Sequence, residues 1–210
     1  ESASLTISSS AEGGTIEASG AAIKVDEGTL TVLSGEIAGA NVPVVNVGQD
    51  GVFNLQGGSV SAENGEALSV AGVFAFTSGV VLGGILAAGG AVVDLVGPGS
   101  QPDGLLDNAL ARGTAVVGDS GIVLSDAASL TMTEGAAIYV SGDGISVSDD
   151  AGAVVDGSMV ISTGSNAIAA EGGSVEIRND AVISTFDDTA AAISATGEGT
   201  VDVYSNGEDS

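Results

Sequence analysis

The chain of 210 residues has no cysteine, no histidine and no tryptophan, and each absence removes a class of function. Without cysteine there are no disulfide bonds and no thiol chemistry. Without histidine the chain lacks the usual general acid or base near neutral pH. It has 3 Lys and Arg against 28 Asp and Glu, a formal net charge of −25. Because this charge repels nucleic-acid phosphates and anionic membranes, we expect no nucleic-acid partner.

The residues that are abundant favour a β-rich fold. The chain is 44% hydrophobic but 3% aromatic and has 34 glycines. Its apolar side chains are mainly Val, Ile and Ala, which suit a pleated surface and a narrow interior. The uncharged residues 71–93 are long enough to cross a bilayer as a helix. The repeat described next runs through them, so we predict strands there and no membrane insertion.

An internal repeat organises the chain: an apolar-x-apolar strand, a turn with Gly and acidic residues, and a second apolar-x-apolar strand. It reads GAAIKVDEGTLTV at 20–32, VVNVGQDGVFNL at 44–55 and GAAIYVSGDGISV at 135–147. A third short apolar element follows the second strand. The unit recurs about every 23 residues, which predicts roughly eight or nine stacked coils of three parallel strands. We therefore predict a single all-β solenoid domain over 1–210.

The phase of the repeat assigns one inward residue to the first strand of each coil. These residues are Ile23, Val45, Leu68, Val93, Val117, Ile138, Ile168 and Ile193. Phe53 and Phe74 fall at matching second-strand positions, so we predict that they stack inside the solenoid. Glycine and aspartate cluster between the strands, where the chain turns and positive φ is needed.

The repeat fails at 97–113, GPGSQPDGLLDNALARG, where a second strand is expected. We predict a protruding loop there, with a short helix over 104–111. It is either a tolerated insertion or a contact element, since loops on rigid scaffolds often carry binding. Its contact candidates are Asp103, Leu105, Leu106 and Arg112.

The recurrent GAAIxV and GxLxV coils with Gly-rich turns resemble right-handed parallel β-helices of the pectin-lyase-like type. They are especially similar to bacterial surface proteins and to autotransporter passenger domains. The resemblance covers nearly the whole chain outside 97–113, and implies a right-handed coil and a secreted or cell-surface location. The family includes polysaccharide lyases and hydrolases as well as adhesins, so the fold alone does not decide the function.

Few residues offer catalytic or metal chemistry. The adjacent acids are Asp149, Asp150, Asp187 and Asp188. Neighbouring turn residues splay apart instead of facing each other across a sugar cleft, so we expect no enzyme. Their oxygens suit Ca²⁺, which is possible but not required. Glu176 and Arg178 share one strand face, where we predict an exposed ion pair.

A structural role fits these observations best. A β-solenoid ends in exposed strand edges, and neither terminus reads as an amphipathic capping helix. Around VVLGGILAAGG, alternation leaves an apolar patch outside, whose members are Val80, Leu82, Ile85 and Leu86. We expect an extracellular structural protein that associates with itself, head to tail, into a filament or surface layer. The alternatives are an adhesin or passenger fragment that displays binding loops, and thirdly a carbohydrate-active enzyme.

Overall fold

The computed structural model describes residues 3–8, 15–18, 22–40, 43–99 and 113–204, with the backbone alone at residues 15, 17 and 18. These residues form an all-β solenoid of about eight turns with roughly 23 residues in each turn. All pairings between its named strands are parallel, and the described residues contain no helix. The predicted fold class is therefore confirmed.

Nineteen strands make up the described solenoid. In chain order they are β1 Ser4–Ile7, β2 Thr15–Ala18, β3 Ile23–Val32, β4 Glu36–Gly39, β5 Val45–Val70, β6 Val73–Ala87, β7 Val92–Val96, β8 Thr114–Gly118, β9 Ile122–Leu124, β10 Ser129–Thr133, β11 Ala137–Val140, β12 Ile145–Ser148, β13 Gly152–Asp156, β14 Met159–Ser162, β15 Ile168–Glu171, β16 Ser174–Arg178, β17 Val182–Thr185, β18 Ile193–Thr196 and β19 Thr200–Val203. The long strands β3, β5 and β6 run around corners and so serve more than one sheet.

Each coil contributes a short extended segment to each of three sheets, and like positions stack in columns. The first sheet has the inner column Ile23, Val45, Leu68, Ile85, Ile122, Ile145, Ile168 and Ile193. The second has Leu5, Leu30, Phe53, Phe74, Val93, Leu130, Ala153, Val175 and Val201. The third has Ile16, Ile37, Val60, Val81, Val116, Ile138, Val160 and Ile183.

The core lies inside the three sheets and is filled by these columns. Phe53 and Phe74 are fully buried, and their ring centroids are 5.1 Å apart with an interplanar angle of 23°. Phe76 stacks on Phe74 at 5.7 Å. The predicted aromatic stack is thus confirmed, and it fills the part of the second sheet where the chain has its bulkiest side chains.

In the middle of the chain, the predicted inward residues of the first strand were assigned to the wrong sheet. Val93 lies in the second sheet between Phe74 and Leu130, and Ile138 lies in the third sheet. Val117 sits beside an inner-column residue, pairs with Tyr139, and faces outward. The first-sheet column advances 17 residues from Leu68 to Ile85 and then 37 residues from Ile85 to Ile122. One short coil followed by one long coil displaced the sequence pattern by one sheet.

The short coil depends on a corner of two glycines. Gly83 and Gly84 alone join Leu82 of the third sheet to Ile85 of the first. Gly83 has φ of 122°, and a Cβ atom there would lie 2.8 Å from the carbonyl oxygen of Gly65. A side chain at this position would therefore be strained and crowded, which is why the sharp corner needs glycine.

Residues 97–113 fall between β7 of the second sheet and β8 of the third sheet. Residues 100–112, which include the helix predicted over 104–111, lie outside the described residues. Residues 71–93, the apolar stretch, run through β6 into β7 as strands. The part of the chain that the structure describes holds no helix long and apolar enough to span a membrane.

The aromatic stack gives a direct test of the core. Replacing Phe74 by Ala removes a fully buried ring that contacts two others, and we expect the free energy of unfolding to fall by about 3–5 kcal/mol. Urea titration followed by circular dichroism measures the change. Phe186→Ala is the control, because Phe186 is exposed and should shift stability little. Equal losses in the two variants would contradict the stacked core.

Candidate assembly surfaces

The N-terminal end of the described solenoid exposes core residues. β1 pairs with β3 and β2 pairs with β4, and no described strand pairs with the opposite edges of β1 and β2. Leu5 belongs to the same inner column as Leu30, yet it is 53% exposed while Leu30 is buried. The difference arises because no described coil covers Leu5 from outside.

The C-terminal end shows the same arrangement. β17, β18 and β19 each pair with one described strand of the preceding coil. Val203 pairs in register with the buried Ile177 but is itself 66% exposed. Both described ends therefore present unpaired strand edges together with apolar side chains, a combination that favours strand addition.

The apolar side patch is smaller than the sequence predicts. Leu82 and Leu86 are exposed and Val80 is half-buried, but Ile85 is fully buried in the first-sheet column. The assignment of Ile85 to the patch was therefore wrong. The unrecognised start of a new coil at Ile85 caused the error. Val123, which pairs with Leu86 on the outer side of the first sheet, adds to the patch instead.

The loop contact candidates Asp103, Leu105, Leu106 and Arg112 lie outside the described residues. The described residues at either side of them are held firmly. The Gly99 amide donates a hydrogen bond to the Glu134 carbonyl at 2.8 Å, and the Thr114 hydroxyl donates to the Val96 carbonyl at 2.9 Å. Both ends of the intervening segment are thus fixed at the corner between the second and third sheets.

The two predicted acidic pairs lie at different corners. Asp149 and Asp150 form the turn between β12 and β13, whereas Asp187 and Asp188 lie between β17 and β18. The structure does not bring the pairs together. Asp149 and Asp150 both have positive φ, of 49° and 59°, as Asp residues tolerate in tight turns.

One acidic pair opens onto a groove that the sequence did not reveal. The groove has a volume of about 580 Å³, and its acidic lining residues are Asp126, Asp149, Asp150, Glu171 and Glu198. Asp126 precedes Asp149 by one coil, so the correct phase would have placed them together. Among the described residues, no group of three or more His, Cys, Asp or Glu side chains is placed to hold a metal ion. The groove concentrates negative charge without forming a defined ligand set.

Glu176 and Arg178 form the predicted ion pair on the outer side of β16. The hydrogen bond to Glu176 raises the pKa of Arg178, whose guanidinium also lies 5.9 Å from the centre of the Tyr204 ring. Both charged side chains are partly exposed, so solvent screens the pair and it adds little stability. It is a surface contact and offers no proton-transfer chemistry.

Asp187 accepts two hydrogen bonds from Thr189. Its carboxylate accepts hydrogen bonds from the Thr189 hydroxyl at 2.6 Å and from the Thr189 amide at 2.7 Å. These bonds favour the charged form and hold the pKa of Asp187 below its ordinary value near 3.8. The same bonds close the turn between β17 and β18.

Thr189→Ala should raise the pKa of Asp187 toward its ordinary value, because the hydroxyl donor is lost while the amide remains. A lowered folded-state pKa stabilises the native chain above the ordinary value, and this contribution disappears as pH falls through the folded pKa. Carbon-detected NMR titration of the Asp187 carboxyl measures the shift. Thr163→Ala is the control, since that hydroxyl bonds to the Val140 carbonyl. An unchanged Asp187 titration in Thr189→Ala would refute the assignment.

Comparison of the chain with protein-family models, curated proteins and solved structures finds no match. The β-solenoid architecture is therefore established by the strand pairings of this chain itself. The acidic groove, the side patch and the two ends are its candidate functional surfaces. Of these, the ends combine unpaired backbone with exposed core side chains.

Proposed function

We propose that this chain is a non-catalytic structural subunit that associates head to tail with further copies of itself through its end coils. The observation that supports this function is the exposure at both described ends of residues that pair in register with buried core residues: Leu5, which pairs with Leu30, and Val203, which pairs with Ile177. Covering them with another coil buries apolar surface and pairs strand edges at the same time. No other surface described above offers both gains.

The parallel strands determine how two copies would meet. Every sheet runs in one direction, so the N-terminal and C-terminal ends are different surfaces. A parallel column continues across a junction if the C-terminal end of one copy meets the N-terminal end of the next. Such a heterologous contact does not close on itself, and it adds subunits without limit. The expected product is a filament as wide as one solenoid.

Charge opposes this association and makes it depend on salt. With a net charge of −25, two copies repel each other at low ionic strength. Salt at about 0.15 M shortens the screening length to about 8 Å, which removes most of the long-range repulsion. Strand pairing acts at contact distance and is not weakened in the same way. Assembly should therefore strengthen as salt is raised.

We place this assembly outside the cell or at its surface. The resemblance of the coils to bacterial surface solenoids and autotransporter passengers supports that location, although it assigns no functional residue. In a surface layer, the apolar side patch of Leu82, Leu86 and Val123 would bring neighbouring rods together. The partners of the chain are then other copies of itself or adjacent surface proteins.

Val203→Lys tests the head-to-tail contact. At a junction the new ammonium would be buried without a partner, so we expect the association constant to fall roughly a hundredfold. Sedimentation velocity over a range of protein and salt concentrations measures association. Negative-stain electron microscopy shows whether the wild-type particles are long and of uniform width.

Val123→Lys is the matched control, because it places the same charge on an exposed apolar residue at the side of the rod. It should leave filament length unchanged. Equal weakening by Val203→Lys and Val123→Lys would point to side-by-side association instead. A wild-type chain that stays monomeric at every salt and protein concentration would overturn the proposed function.

A further inference from the structure

The corner that precedes the short coil holds more residues than the corner stacked on it. Ser61 pairs with Leu82, and Leu68 pairs with Ile85. Six residues join Ser61 to Leu68, whereas two residues join Leu82 to Ile85. Because the strands on both sides of the corner stay paired, the additional residues have to leave the stack of coils as a bulge.

The bulge consists of Glu63, Asn64 and Gly65. No described residue pairs in register with them, since pairing with the preceding coil ends at Ala62 and pairing with the following coil resumes at Glu66. The three residues are exposed to solvent. Gly65 has a φ of 75°, which turns the chain directly after the asparagine. Asn64 therefore lies in an exposed turn with no described strand paired to it on either side.

An asparagine that is followed by glycine brings an electrophile and a nucleophile together. Attack of the Gly65 backbone nitrogen on the Cγ atom of Asn64 closes a five-membered ring. Glycine has no Cβ atom to obstruct this approach, and its backbone reaches more conformations than that of other residues. Asparagine is for such reasons one of the thermolabile residues of proteins.

We propose that Asn64 is a site of spontaneous deamidation. The Gly65 nitrogen gives up its proton and bonds to Cγ of Asn64. The bond between Cγ and Nδ2 breaks, and the amide nitrogen takes up the proton and leaves as ammonia. Water then adds to one of the two carbonyl carbons of the ring and opens it, which leaves aspartate or isoaspartate at position 64. Water is the one co-reactant, and nothing is oxidised or reduced.

The modification changes the charge of the corner and leaves its stacking intact. It adds one carboxylate between Glu63 and Glu66 in a chain whose formal net charge is already −25. Isoaspartate also lengthens the backbone by one carbon atom. Because the bulge lies outside the paired register, this atom does not displace Ser61 or Leu68 from their columns. We therefore expect the modified chain to keep its fold.

Storage of the folded chain in mildly alkaline buffer tests the proposal, since base removes the proton from the attacking nitrogen. Asn54 is the internal control, because Leu55 follows it and its Nδ2 donates a hydrogen bond to Thr31 Oγ1 at 3.4 Å. Asn64 should convert roughly tenfold faster than Asn54, because only Asn64 is followed by a residue without a Cβ atom. Peptide mass spectrometry locates each conversion and separates it from that of the second Asn-Gly pair, 206–207, which lies outside the described residues.

Asn64→Gln is the matched variant, because it keeps a side-chain amide but would have to close a less favourable six-membered ring. It should abolish conversion at position 64 and leave that of Asn54 unchanged. Equal rates at Asn54 and Asn64 in the folded wild-type chain would overturn the proposal. Conversion of Asn64 that begins only after unfolding in urea would also overturn it, since the bulge would then protect the amide. A lower urea midpoint of the converted chain would show that the bulge belongs to the paired core.

Discussion

A coil of this solenoid can bury its inner side chains only against the coils above and below it, and the backbone pairing that aligns those coils controls the rest of the structure. The pairing keeps Ile on Ile in the first sheet through Ile122, Ile145 and Ile168. It also places Phe53 on Phe74 at stacking distance. A shift of one residue in this register would turn the inner side chains of a strand outward. The corners of each coil must therefore bring every strand back into register with the strand of the preceding coil.

The stacking of coils also gives the acidic side chains of the surface their hydrogen-bond donors. With so few cations, carboxylates accept hydrogen bonds from neutral side chains one coil away. Ser141 donates to Asp119 at 3.1 Å, and Asn179 donates to Asp156 at 2.6 Å. The partners are 22 and 23 residues apart, so the repeat length that builds the core also supplies the donors. These carboxylates therefore have hydrogen-bond partners without a matching set of Lys and Arg side chains.

Much of this fold follows from local pattern. Alternation around Ile23 and Val25, and the Gly and Asp residues between strands, predict coils of three short strands because both features act over a few residues. The sheet to which a strand belongs is a different matter. Alternation at Val93 or Ile138 looks the same in any sheet, so the 17-residue coil closed by Gly83 and Gly84 displaced the prediction.

The surfaces were harder to predict for a related reason. Alternation says which side of a strand faces the core, and it equates the other side with solvent. Met159 and Ile161 are exceptions, since they face away from the solenoid interior and are nevertheless buried. Ile85 is an exception of another kind, because it was predicted to lie on the surface but begins a new coil and is buried. Contacts between segments far apart in sequence decide these cases, and a local pattern does not contain them.

The even spacing of the later coils bears on how such a chain changes over generations. Ile122, Ile145 and Ile168 follow one another at 23-residue intervals, and Val123 pairs in register with Ser146. A gene segment encoding residues 123–145 can therefore be lost or duplicated and still leave neighbouring columns aligned. Each such event changes the rod by one coil, about 4.8 Å, and leaves both of its ends as they were. The length of the rod can therefore change during evolution in steps of one coil.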